Sequence, residues 1–155
     1  MRPTISQAIK NAALGVCQAT CLAAFACSST SNVPTDPPCV ANLTANCAAT
    51  YAPPTFQTIY GSILKINCAS GTGTCHTSDF AAGGLVLADA NVAYNRLLGA
   101  DGGVALVVPG NPGCSTIMKR LESTDPNYHM PRGPNFLSAG DLCTIVQWIS
   151  QGAAQ

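Results

Sequence analysis

The chain has 155 residues, seven Lys plus Arg against seven Asp plus Glu, and charged residues make up only 9% of it. With zero formal net charge and no clustered cations, it offers neither the basic face that nucleic acid requires nor an electrostatic footing on an anionic membrane. The length suits one domain able to bury its own core, and the nine cysteines are the compositional feature that needs explaining.

In chain order, Arg2 and Lys10 form a positive stretch, and residues 12–26 then run without a charge, ending in small residues. This run is shorter than the roughly 20 apolar residues of a membrane-spanning helix and fits an export signal over residues 1–26. Cys27 follows, with Ser28, Ser29, Thr30 and Ser31 behind it. That arrangement reads as the start of a bacterial lipoprotein, lipidated at Cys27, so the only membrane contact expected is the lipid anchor. The expected location is the cell envelope, periplasmic or at the outer membrane. Residues 27–54 are rich in Ser, Thr and Pro and read as a tether followed by an irregular segment.

Export places the remaining cysteines in an oxidising compartment. Cys17 and Cys21 leave with the signal and Cys27 carries lipid, so Cys39, Cys47, Cys68, Cys75, Cys114 and Cys143 remain. An even count permits three disulfides, or two bonds to a cofactor and two disulfides. Cys39, Cys47, Cys114 and Cys143 are the disulfide candidates, with Cys39 near enough to Cys47 to staple the irregular segment and Cys114 set against Cys143.

Four helices are predicted over residues 55–155. Thr55 caps the first, whose apolar residues Phe56, Ile59, Tyr60, Ile63 and Leu64 share a face and which leads to Cys68. Asp89 caps the second, carrying Val92, Leu97 and Leu98 and stopped by Gly99. Asn111 precedes Pro112, a residue suited to a first helical position, and Ile117, Met118 and Leu121 lie beyond. Ser138 with Asp141 opens the last helix as a variant capping box, with Leu142, Ile145, Val146, Trp148 and Ile149 on it and Gly152 after it. Leu85–Leu87 and Ala105–Val108 each follow a Gly-Gly pair and are predicted to form a small two-strand pairing. The fold class is therefore mainly α, braced by disulfides.

Cys75-His76 is the dipeptide that carries chemistry. It is the second half of the C-x-x-C-H haem attachment signature, but Thr72 stands where the first cysteine belongs. Small residues from Ala69 to Thr74 precede the pair and allow a backbone to approach a flat macrocycle. A second iron ligand is sought in Met130, bounded by Pro131, Gly133 and Pro134, with His129 beside it as a competitor. Taken singly, a disulfide cysteine, a surface histidine and a core methionine are the commoner fates of these residues. A zinc site from Cys68, Cys75, His76 and His129 lacks the paired knuckles such sites use. A cysteine nucleophile is disfavoured by oxidation.

Several segments resemble the planctomycete-type cytochrome c domain. They are Gly83–Leu87, the V-P-G-x-P run Val107–Pro112 continuing to Arg120-Leu121, Met130-Pro131, and Leu137–Ala139 followed by Ile145–Ala153. The resemblance spans about residues 56–153. It implies a cytochrome c-like fold with one covalent haem c, bonded through Cys75 and, by a longer loop, Cys68. It further implies His76 and Met130 as axial ligands and redox proteins as partners, with electron transfer rather than enzyme catalysis as the activity. The rival expectation is a haem-free, disulfide-braced envelope domain with a binding or structural role, in which Cys68 and Cys75 join each other.

Overall fold

The computed structural model describes residues 37–70 and 74–155. The export signal, the lipidation position Cys27, the start of the tether and Thr72 lie outside the described residues.

Thr55 opens the first helix as predicted, its extended backbone letting Oγ1 accept a hydrogen bond from the Thr58 amide at 3.3 Å. One α-helical turn, α1 (Phe56–Ile59), runs straight into a π-helical stretch, Tyr60–Ala69. Side chains help satisfy its carbonyls: Asn67 Nδ2 donates to Ile63 O and Ser70 Oγ to Lys65 O, both at 2.8 Å. The predicted face is the buried one, with Phe56, Ile59 and Ile63 fully enclosed.

Helix α2 (Ala90–Leu98) is capped by Asp89, which accepts from the amides of Asn91 and Val92 at 2.9 and 3.0 Å. Its inward residues are Ala93 and Leu97. Val92, expected on that face, is 50% exposed, because it lies one residue and so about 100° round the helix from Ala93. Gly99 ends α2 at φ +72°, and a Cβ there would meet Gly103 O at 2.9 Å.

Helix α3 (Thr116–Leu121) begins after Ser115, four residues later than Pro112 suggested. Asn111 makes a separate turn instead. Its Oδ1 accepts from Cys114 N at 3.1 Å, while its carbonyl accepts from Ser115 Oγ at 2.9 Å; such side-chain bonds compete with helical ones. Helix α4 (Ala139–Ser150) is capped by Ser138, whose Oγ accepts from Asp141 N at 3.1 Å.

The predicted strand pairing is absent: no strand occurs among the described residues. Both extended segments spend their hydrogen bonds elsewhere. Leu87 N donates to His76 O, Leu106 N and Val107 N both donate to Leu97 O at the end of α2, and Ile117 N donates to Leu106 O. The printed bonds of the two runs thus go to other parts of the fold rather than to each other.

The helices meet around Phe56, whose ring lies 5.9 Å from Tyr60, 5.0 Å from Tyr94 and 5.7 Å from Trp148. Trp148 Nε1 donates to Ala154 O and Tyr94 Oη to Ala153 O, so the polar tips of this apolar cluster are paired.

The disulfides differ from the expected local staples. Cys39 bonds to Cys114 and Cys47 to Cys143, across 75 and 96 residues of sequence. The reason is packing: residues 40–51 are bonded to the turn before α3 and to α4. Val40 N donates to Gly113 O, Thr50 N to Gly140 O, and Gln147 Nε2 to the carbonyls of Ala45 and Cys47. A Cβ on Gly113 would sit 2.6 Å from Val40 O, so only glycine admits the approach that brings Cys39 to Cys114. Among the described residues no helix is long and apolar enough to cross a membrane.

Closing a loop of this length lowers the entropy of the unfolded chain. The double substitution Cys47→Ser/Cys143→Ser is expected to lower unfolding free energy by about 2–5 kcal/mol, read from urea unfolding beside the parent protein.

Candidate functional site

His76 ends a short 3₁₀ turn, Thr74–His76. Its Nδ1 lies 3.2 Å from Leu85 O, and its own carbonyl accepts from Leu87 N at 2.7 Å. A carbonyl only accepts, so Nδ1 carries the proton and Nε2 keeps a lone pair. The segment expected to be a strand is thus the clamp that sets the histidine's tautomer. Burial lowers the His76 pKa below its ordinary 6.5; hydrogen bonding to Leu85 and Ala82 opposes this, and the positive charge of Arg120 adds to the lowering.

Arg120 is the residue at which the site converges. Its carbonyl accepts from Met130 N at 2.9 Å, its Nη1 donates to Tyr128 O at 3.3 Å, and its guanidinium carbon stands 3.9 Å from the centre of the Tyr128 ring. The charge felt at His76 and the backbone that carries Met130 therefore belong to one α3 residue.

Met130 is partly buried. His129, expected as a competitor to Met130 for the iron, is by contrast only 5% exposed. The cause is local: the amides of Tyr128 and His129 both donate to Asp125 O, turning the loop inward. His129 Nδ1 lies 3.0 Å from Pro131 O, and Nε2 is buried without a hydrogen-bond partner. Phe136 packs against the ring, tilted at 52° with ring centres 4.4 Å apart.

The two attachment candidates differ. Cys68, near the end of the π-helical stretch, is a free and partly buried thiol whose pKa burial pushes up to about 11. Cys75 is disulfide-bonded. Cys68 and Cys75 are therefore not joined to each other, contrary to the haem-free expectation in that detail. No group of three or more His, Cys, Asp or Glu side chains gathers around a point among the described residues, so Cys68, Cys75, His76 and His129 do not assemble a zinc-type cage.

Arg120 and the Leu85 carbonyl were missed by sequence reasoning. Arg120 stood within a recognised motif, but nothing in the residue type announced contact with residues 128–130. A backbone carbonyl leaves no signal in a sequence at all.

Two measurements check this geometry. Because the folded-state pKa of His76 is lowered, the unfolded chain takes up the proton first. In haem-free protein the His76 contribution is complete above pH 6.5 and is lost progressively as pH falls below it. The urea midpoint should fall over that range, and His76→Gln should flatten the fall. Cys68, protonated and sheltered, should alkylate slowly in the native protein at pH 8 and quickly in urea, as followed by peptide mass mapping. Rapid native labelling would contradict its described burial.

No curated protein and no solved structure matches this chain. Residues 73–133 match a family model, and that segment takes in Cys75, His76, Arg120, His129 and Met130 but not Cys68. The family whose model those residues match is described as Planctomycete cytochrome C, the family the sequence resembles.

Proposed function

We propose that this chain is an exported, single-haem, cytochrome-like protein that passes electrons one at a time and transforms no substrate. The observation that supports this most is the convergence at Arg120. The family-matched segment runs from just before His76 to just beyond Met130; the positive charge of Arg120 adds to the lowering of the His76 pKa, and the Arg120 carbonyl accepts from the Met130 amide.

The donor set fits a haem iron in kind. His76 has Nδ1 held by the Leu85 carbonyl, and a backbone or carboxylate partner holding one ring nitrogen is what orients metal-bound imidazoles. Residues 129 and 130 offer a second imidazole and a thioether, with Met130 the ligand that the family resemblance implies. When bound, the haem supplies a one-electron couple whose potential rises with a Met ligand.

The protein's own part is to orient and to exclude water. The Leu85 carbonyl fixes the His76 ring. Arg120 holds residues 128–130 from two sides, and its positive charge near His76 favours the reduced, less positive state of the site. Ile63, Leu87 and Leu97 are enclosed in the core, Leu87 bonded to the His76 carbonyl, and a dry surround limits solvent reorganisation. Cys68 and Cys75 are the candidates for attachment, and bonding at Cys75 requires that its disulfide be open. Redox proteins are the proposed partners. The proposed location is the cell envelope, with a lipid on Cys27 as anchor; the long-range disulfides suit that oxidising compartment.

A second reading is favoured by one observation. With Cys75 also bridged, the fold is a disulfide-braced domain that has no need of haem for cohesion, and a binding or structural role in the envelope follows.

Expression with cytochrome c maturation machinery, followed by a pyridine haemochrome spectrum and an intact mass, separates the two. One haem per chain is expected, and His76→Ala is expected to abolish the low-spin spectrum. A colourless product with the mass of the disulfide-bonded chain alone overturns the haem reading.

A further inference from the structure

We propose that Arg96 is the positioning residue for His76: it grips the turn that carries the Leu85 carbonyl, and so keeps the His76 proton on Nδ1 and the lone pair on Nε2. The purpose of this grip rests on the reading of His76 as a ligand above. Its geometry does not depend on haem.

The Leu85 carbonyl faces His76 Nδ1 at 3.2 Å, yet no strand occurs among the described residues to hold it. It follows a turn in which Ala81, Gly83 and Gly84 take φ of +38°, +63° and +73°. Alanine is costly in that region, because its Cβ crowds the following carbonyl oxygen. Inside the turn, Gly84 N donates to Ala81 O and Leu85 N to Ala82 O. These bonds close the turn on itself without fixing it to the body, and backbone of this kind persists where its surroundings hold it.

Arg96 supplies a hold from α2. Its Nε donates to Gly84 O at 3.3 Å and its Nη1 to Val104 O at 2.9 Å. Gly84 O is the carbonyl immediately before that of Leu85, so the grip acts on the residue next to the one that faces His76. The guanidinium is itself placed. Asp101 Oδ2 lies 3.7 Å from Nε, and Asp101 Oδ1 accepts from Gly103 N at 3.0 Å. A Cβ on Gly103 would stand 2.6 Å from Nη1. The Arg96 side chain is only 19% exposed, spanning two loops rather than reaching into water. A planar fork serves two carbonyls at fixed angles, which the single ammonium of lysine does not.

Without that grip the Leu85 carbonyl is free to leave Nδ1. A neutral imidazole carries one proton on either nitrogen, and the hydrogen bond made by one of them decides which. Once Nδ1 has lost its acceptor, the proton is free to sit on Nε2, the atom that a ligating His76 must keep bare. Arg96 thus acts on the donor atom through Gly84 and Leu85.

The test reads the His76 ring directly, by long-range nitrogen–proton NMR correlations in haem-free protein at pH 8, with urea unfolding measured beside it. The parent protein is expected to show His76 with its proton on Nδ1. Arg96→Met, which keeps the stem without the donors, and Gly103→Ala, which leaves Arg96 in the chain but pushes Nη1 aside, should both lose that single pattern and gain the Nε2–H form. Arg96→Lys should fall between them and the parent. An arginine that only stabilises the fold would lower the urea midpoint and leave the ring pattern unchanged; that result overturns the proposal, as does a parent protein whose proton already sits on Nε2. Gly103→Ala decides the matter should Arg96→Met fail to fold. The same proteins are then expressed with haem-maturation machinery. A parent without haem overturns the haem reading while a tautomer change in the variants leaves the positioning of His76 standing. A haem-bearing parent whose variants keep the Nδ1–H pattern overturns the positioning alone.

Discussion

The packing of Phe56 against Tyr94 and Trp148 is the contact on which the rest of the structure depends. It joins the first helix, α2 and α4 at one point, with ring centres 5.0 and 5.7 Å apart. Each buried aromatic or aliphatic side chain here is worth about 1.5–3 kcal/mol of transfer free energy, and the geometry of the rings adds to that. Because Phe56 stands at the start of the first helix, the cluster also sets where that helix ends, and so where Cys68 and the loop toward His76 are delivered. The long π-helical continuation widens the turn along that path, a feature that recurs near functional sites.

Around this frame the disulfides do a second job. They fasten residues 39–51 to the approach of α3 and to α4, so a segment whose composition suggested a tether becomes a strap over the body. The strap lies on the side of α4 and of the Cys114 turn. Residues 120–136 are consequently left to organise themselves through Arg120, Tyr128 and the turn at Asp125, and that self-contained loop carries both His129 and Met130.

The site is built from main-chain groups more than from side chains. The carbonyls of Leu85 and Pro131 each face one histidine nitrogen, and His129 Nε2 is left buried without a partner. Arg120 adds a charge close to one and a backbone acceptor close to the other.

The helices were legible because their signals are local. Thr55, Asp89 and Ser138 cap helices through oxygens two or three residues from the amides they serve, and the apolar spacing of Phe56, Ile59 and Ile63 is a property of the chain itself. The Cys75-His76 pair and Met130 were legible as donor types for the same reason. Disulfide partners, the burial of His129 and the failure of the strand pairing were not, since each is decided by groups far apart in sequence. Cys39 meets Cys114 because glycine at 113 lets Val40 approach, Leu106 bonds to the end of α2 rather than to Leu85, and His129 is turned inward by Asp125. The sequence alone determined which residues can donate to a metal and where helices begin; the tertiary structure decided which lone pairs are left without a partner, because hydrogen-bond satisfaction is a property of the whole fold.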